Sequence, residues 1–362
     1  MNTSLIEFLR TLVSYETTQG KANEFSRIFE SVDTFFAMNQ LRVHRQSVKG
    51  IQTVLYLPKG VKRPRILFCG HVDIVPCAVS QLTLTQVGDK LFGRGTYDMK
   101  GPIAAMLFAF KEVLQKDPRA SVGLLLSSDE EVGGMHGVGS WIERSPHLLP
   151  DVVFLPDGGS PFTLVTEEKG VLQLEVTVTG KTGHASRAWE GVNAISLAAD
   201  GLRRVERLFP PLKRVEDWRT SVVATKIQSG TATNQIPGEV KITFDVRYVP
   251  RDRPEQLRAK LQQCFPKANI QVIARGEPFF LPSKKKEIEL FSQVFQVQFK
   301  KPLPRMYFPS ACDARFFAAK KIPVILLRSA GGDAHGPKEW VSLKGLEAYK
   351  KLVCAYVESY LD

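Results

Sequence analysis

The chain has 362 residues, which at roughly 150 residues per domain reads as about two domains with room for a large core. Hydrophobic residues at 43% and charged residues at 24% are ordinary globular values, and they exclude disordered, collagen-like and coiled-coil chains. A net charge of +12 favours anionic partners, whether nucleic acid, an acidic membrane surface or a carboxylate substrate.

The amino terminus, MNTSLIEFLRTLVSYE, lacks a basic leader region and carries Glu7 where a signal peptide is apolar. It predicts a first helix, with Ser4 and Glu7 at capping-box spacing, in a cytoplasmic protein. Apolar residues at helical spacing predict a second helix within 21–39, and three strands follow at Leu41 to Gln46, Thr53 to Leu57 and Arg65 to Cys69. A helix over Gly101 to Leu114 and buried strands at Ser121 to Leu126 and Val152 to Leu155 complete an alternating α/β pattern. Each strand empties into a polar cluster, so the site is expected beyond the carboxyl ends of the strands. From about Val171 the rhythm changes. Strands at Leu172 to Val178, Val222 to Gln228, Glu239 to Tyr248 and Asn269 to Ala274 alternate with helices at Asn193 to Leu208 and Pro254 to Cys264. That β-α-β-β-α-β order is ferredoxin-like and predicts an inserted domain over 171–280. A helix at Ile288 to Gln298, a strand at Pro323 to Leu327 and a last helix at Leu343 to Tyr360 return the chain to the first domain, 1–170 with 281–362.

No apolar run reaches the roughly 18 residues of a membrane helix. The densest basic run, Lys284-Lys285-Lys286, has no interleaved aromatics and predicts a solvated face, so neither a nucleic-acid nor a membrane partner is expected. The five cysteines form no C-x-x-C pair, which predicts free thiols in a reducing compartment.

Chemistry concentrates at the strand ends. In GHVDIVP, His71 and Asp73 are two apart on an extended segment and share a side, so one can bind a metal while the other orients it; a strand-end histidine capped by an acid is the plainer alternative. In GRGTYDMKG, Asp98 stands between glycines as a candidate ligand or as a helix N-cap. In SSDEEVGG, Asp129, Glu130 and Glu131 crowd three carboxylates behind a buried strand, which calls for a cation or a proton. Asp157 in PDGG and His335 in DAHGPKEW complete the set. Two histidines and three carboxylates, with a glutamate to spare, suit two Zn²⁺ ions about 3.5–4 Å apart with one bridging carboxylate. Cobalt and manganese suit the same donors, and the lack of cysteine ligands argues against a closed structural zinc site. Open coordination positions would admit water, whose pKa such ions lower, and the spare glutamate would be its base.

The ordered motifs GHVDIVP, GRGTYDMKG, SSDEEVGG, PDGG, GKTGHAS and DAHGPKEW resemble the metallohydrolase family of acetylornithine deacetylase, succinyl-diaminopimelate desuccinylase, aminoacylase and glutamate carboxypeptidase. The resemblance implies a catalytic domain with a central mixed sheet flanked by helices, and an inserted lid and dimerisation domain. It implies that Asp98 bridges the metals, that His71 and Asp157 complete one site and that Glu131 and His335 complete the other. Glu130 would be the general base, Asp73 would orient His71, and a non-proline cis peptide would follow Asp98. His184 would reach a partner subunit's active site and stabilise the oxyanion; by itself it could also cap the helix near Asn193. Asn234 and Arg247 match family positions, and Arg247 could hold a substrate carboxylate or form a surface ion pair. Asp313 and Arg315 in PSACDARFF could shape the substrate pocket, where this chain carries Ala311 and Cys312 in place of the family's frequent small hydroxyl residues. His44 and His147 are expected to be structural or exposed, and no motif claims His136.

The expectation is a two-metal enzyme that removes the acyl group of a small, carboxylate-bearing N-acyl amino acid. Cleavage of a short peptide by an exopeptidase of the same family is the alternative. Asp157, where the desuccinylase branch more often has glutamate, favours a broader deacylase or carboxypeptidase-like enzyme over a strict desuccinylase. A homodimer is the default assembly. An inactive scaffold that binds an anionic partner is the rival from another class, and the intact ligand set opposes it.

Overall fold

The computed structural model describes residues 4–214, 217–282 and 284–362. The chain divides into two compact units. One comprises residues up to Thr166 with Leu281–Met306 and Cys312–Asp362, and the other comprises Glu167–Phe280 with Tyr307–Ala311. The expected insert 171–280 thus lies in the second unit, which also takes a short segment after Met306 that carries no periodic signal.

The first unit is built on a six-stranded mixed sheet in the order Leu41–Val48, Ile51–Pro58, Val122–Ser127, Ile66–His71, Val152–Leu155, Val324–Leu326. The last four strands are parallel, while Leu41–Val48 pairs antiparallel with Ile51–Pro58 and Ile51–Pro58 antiparallel with Val122–Ser127. The parallel strands are buried along their whole length, which is why they read as unbroken apolar runs. Helix Leu5–Val13 starts on the expected capping box between Ser4 and Glu7. Helix Lys100–Lys116 buries Ile103, Met106, Leu107 and Phe110, and so is apolar almost all round, as a helix inside a core must be. On the sheet, Phe68 packs edge-on against Phe110 and Phe154, and Phe154 meets Phe291 and Tyr356 from the carboxyl-terminal helices. Truncating one of these fully buried rings to alanine costs about 3–5 kcal/mol.

The second unit carries a four-stranded antiparallel sheet in the order Ser221–Ser229, Glu239–Tyr248, Gly170–Thr179, Asn269–Gly276. Helices Ala194–Leu208 and Pro254–Cys264 give it the β-α-β-β-α-β chain order. Leu172, Leu174, Val176 and Val178 alternate inward and meet Phe244, Val246 and the helix stripe Ala194, Ala198, Val205. Gly201 completes that stripe because any Cβ there would lie 1.9 Å from the Phe265 ring.

The strongly periodic elements fall where the sequence places them. The short ones carry no such signal: helix Val138–Arg144, strand Leu164–Glu168 and the small sheet that joins Trp340–Ser342 to Lys90–Phe92 are too brief for a period to repeat. Among the described residues no helix is long and apolar enough to cross a membrane.

Candidate metal centre

Because four strands of the first unit run parallel, their carboxyl ends open on the same edge of the sheet. They deliver His71, the turn that carries Glu130 and Glu131, Asp157, and Arg328. Asp98 arrives on the loop before helix Lys100–Lys116, across a cis Asp98–Met99 peptide, and His335 on the loop before strand Trp340–Ser342.

These side chains form two adjoining groups, His71 with Glu130 and Asp157, and Asp98 with Glu131 and His335; within each group the ligand atoms lie within 4.8 Å of one another. Asp98 faces both groups. Its Oδ1 is 3.4 Å from His71 Nε2 and its Oδ2 is 3.4 Å from His335 Nε2. Asp157 Oδ2 is 3.8 Å from His71 Nε2, Glu131 Oε1 is 3.2 Å from His335 Nε2, and Glu130 Oε2 stands 4.0 Å from His71 Nε2. Asp98 is no N-cap: Met99 holds that position, with no side-chain capping bond.

The supporting contacts explain how the turns hold their shape. His71 Nδ1 lies 3.1 Å from the main-chain carbonyl of Asp73, which leaves the Nε2 lone pair for the site. The Asp73 carboxylate accepts from the amides of Glu130 and Glu131, at 3.2 and 2.9 Å, so it fixes the glutamate turn as well as standing 3.4 Å from the imidazole. Asp129 points away and accepts from the amides of His136 and Gly137, a structural part in an acidic triplet that looks uniform in sequence. Asp313 and Arg315 lie behind the same turn. Arg315 donates to the Gly133 carbonyl at 2.6 Å, and the Asp313 carboxylate presses so close to Gly134 that a Cβ there would meet it at 2.0 Å.

Three residues here escaped sequence reasoning. Glu339 accepts from the amides of Tyr97 and Asp98 at 2.8 and 3.0 Å, and Arg94 pairs with Glu339 at 2.6 Å inside the core. Arg328, also buried, places Nη2 3.4 Å from Asp157 Oδ1. Its signal was available, since it follows the last parallel strand as Asp157 follows its own.

Electrostatically the centre is an acidic pit compensated by imidazoles. Burial pushes the Glu130 carboxyl well above the usual range, and the neighbouring Asp157 adds to it. Burial, then Asp98, pushes Asp157 up to about 6. For Asp98 burial acts upward but His335 and His71 outweigh it, and its pKa falls well below normal. His335 is raised to about 10 by Asp98 and Glu131. Three buried atoms, His71 Nε2, Asp98 Oδ1 and Glu131 Oε1, have no hydrogen-bond partner. Such groups cost about 1–3 kcal/mol each when left unpaired. Divalent cations satisfy imidazole and carboxylate lone pairs together, with release of the imidazole protons, so this donor set fits a pair of ions.

In the second unit, His184 and Asn234 meet on one short ladder, where Gly183–His184 pairs with Gln235–Ile236 and the Asn234 carbonyl accepts from the Ala185 amide. His184 is exposed and does not cap the long helix, whose cap is Asn193. Its Nδ1 accepts from the Ser186 amide, which puts the proton of the neutral ring on Nε2. Arg247 is half-buried on the sheet face away from the helices, where its Nε and Nη2 meet the carboxylate of Asp245.

The fold and the paired carboxylate–imidazole groups accord with a centre for two metal ions. The sequence profile described as Peptidase family M20/M25/M40 matches residues 67–359, and the chain belongs to that family. A probable carboxypeptidase of Aspergillus terreus is 31% identical over 265 residues, covering 67% of this chain and 60% of that protein. The chain thus spans about 60% of the length of such a relative. A succinyl-diaminopimelate desuccinylase of Pseudoalteromonas atlantica is 28% identical over 330 residues, 83% of this chain and 85% of that protein. Among solved structures, aminopeptidase PepT from Bacillus cereus superposes with a TM-score of 0.80 at 19% identity, over 99% of this chain and 98% of that one. The M20 family metallo-carboxypeptidase Sso-CP2 from Sulfolobus solfataricus does so with a TM-score of 0.77 at 18% identity, over 98% of each chain. At such identities the structures speak for the fold alone.

Proposed function

We propose that this chain is a two-metal amidohydrolase that removes the acyl group from an N-acyl amino acid. The observation that carries the reading is Asp98, which offers one carboxylate oxygen to each of two histidine–carboxylate groups while Glu130 stands beside them. His71 and Asp157 would hold one ion and Glu131 and His335 the other, with Asp98 shared. Zinc suits this donor set best, with cobalt or manganese as substitutes. Such ions supply charge stabilisation at the scissile carbonyl and lower the pKa of water. Glu130 takes the proton of the attacking water and returns it to the leaving amine; a buried carboxyl with carboxylate neighbours is suited to both transfers. Arg315 holds the turn that aims it through the Gly133 carbonyl, and Asp313 packs against Gly134 behind it.

His184 would donate its Nε2 proton to the oxyanion in the active site of a second copy, beside Asn234. A homodimer accords with the outer strand Ser221–Ser229, which leaves an edge unpaired and exposes Val223 and Ile227. Arg247 keeps its Nη1 edge free of Asp245 and would take the substrate carboxylate there.

A second reading, a metallo-exopeptidase of the carboxypeptidase kind, is favoured by the relatives described as probable carboxypeptidases. Both readings require a free carboxylate on the amine side of the scissile bond. Hydrolysis of N-acetyl and N-succinyl amino acids and of dipeptides, with zinc or cobalt added, separates them. Faster turnover of acyl amino acids supports deacylation, preference for dipeptides supports the exopeptidase, and no metal-dependent hydrolysis of any of them overturns both.

A further inference from the structure

The charge balance of the metal centre contains one cation that neither the motifs nor the two ions account for. Arg328 stands at the end of the last parallel strand, buried at 4% exposure, with its guanidinium 4.3 Å over the Tyr97 ring. Tyr97 cannot give way easily, because it packs against Gly331, where a Cβ would come within 2.2 Å of the ring. From this position Nη2 lies 3.4 Å from Asp157 Oδ1 and 3.9 Å from Asp98 Oδ1, and the buried Nε has no partner. Asp157 therefore turns one oxygen toward Arg328 and the other toward His71.

Asp98, Glu130, Glu131 and Asp157 meet at the two ion groups with Asp73 and Asp313 behind them, and without ions Arg328 is a fixed cation that faces Asp98 and Asp157. We propose that Arg328 is a resident counter-cation of the centre: it stabilises the ion-free chain and weakens the hold on the ion between His71 and Asp157. The proposal rests on the two-ion reading for its second half only. A fixed guanidinium beside carboxylates offsets their mutual repulsion when no ion is present, and it repels a divalent charge brought to the same oxygens. Arg is suited to this, since it never loses its proton and tolerates a desolvated stack on an aromatic face.

The test compares Arg328→Met and Arg328→Lys with the unaltered chain, each stripped by chelator and reloaded with zinc. Melting temperature and zinc affinity, the latter by competition with a chromophoric chelator, are the readouts. The methionine variant is expected to lose about 5–10 °C when stripped and less than half of that when reloaded. It is expected to bind one zinc equivalent on the order of tenfold more tightly. The lysine variant, which keeps the charge, should recover most of the stripped-form melting temperature. An equal loss in both forms, or zinc bound no more tightly, overturns the proposal. Should the methionine variant fail to fold even with zinc, Arg328→Gln carries the same comparison. An unaltered chain that binds fewer than two zinc equivalents overturns the two-ion reading instead, and the stripped-form melting temperatures still decide the stabilising role.

Discussion

The strand ends of the first unit and the His184 ladder of the second treat polar groups in opposite ways. At the centre of the first unit, His71, Asp98 and Glu131 each bury a lone-pair atom that makes no hydrogen bond. On the ladder, His184 is exposed, and its ring nitrogen and the neighbouring Asn234 carbonyl are already engaged by backbone amides. Burial without a hydrogen bond is costly, and a bound cation would offset that cost where imidazole and carboxylates meet, whereas an exposed and paired group gives no such warrant. The first region can thus be read from one chain, while the second needs a partner to make its case.

The largest effect should come from the residue that both ion groups share. Asp98→Ala is expected to lose both ions and all measurable hydrolysis, seen as metal content by elemental analysis alongside turnover. Retention of two ions by that variant would break the contrast at its strongest point. Removal of metal by chelator should abolish hydrolysis of the unaltered chain, and zinc or cobalt should restore it. Next comes Glu130→Gln, with kcat lower by about 10²–10⁴ and two ions retained. Glu130 lies within ligand reach of His71 and Asp157, so metal content is the sharper readout. A fall to one ion makes Glu130 a ligand and leaves the base to be found elsewhere.

How much of this was legible in the sequence follows from the same contrast. Buried parallel strands such as Ile66–His71 and Val152–Leu155 announce themselves as apolar runs, and the polar residues at their ends stand out against them. The metal-competent residues could be picked out, and so could the chain order of the second unit, because ten-residue strands such as Glu239–Tyr248 repeat their alternation several times. What sequence could not show is pairing. Asp129 looks equal to Glu130 and Glu131 until its bonds to the His136 and Gly137 amides remove it from the site. Arg315 reads in sequence as a residue that could shape the substrate pocket, and only the fold shows that it also donates to the Gly133 carbonyl. Arg94 and Glu339 are far apart in the chain, and only the fold makes them the support beneath Tyr97 and Asp98.

The His184 ladder is where the contrast can be sharpened. His184→Ala should lower kcat by about 10²–10³ with metal content and melting temperature unchanged, as loss of one oxyanion donor does. Because the donor would act across two copies, mixing inactive His184→Ala and Glu130→Gln chains should restore activity through hybrid dimers. No recovery on mixing, despite subunit exchange shown by light scattering or tagged pull-down, removes the shared-site arrangement.

The smallest effect concerns Arg247, and it turns on what an ion pair leaves free. Side-chain pairs as exposed as Arg247 and Asp245 contribute about 0–1 kcal/mol, so neither Arg247→Ala nor Asp245→Asn should move the melting temperature far. Binding is another matter, because a charged hydrogen bond to a substrate carboxylate is worth about 1.5–3 kcal/mol. Arg247→Ala should therefore raise KM roughly 10–100-fold at nearly constant kcat. Asp245→Asn removes the competing carboxylate from Nε and Nη2 and should lower KM for the same substrate. If both variants keep the parent KM, Arg247 is only the surface ion pair that its contacts with Asp245 describe, and the carboxylate is held elsewhere.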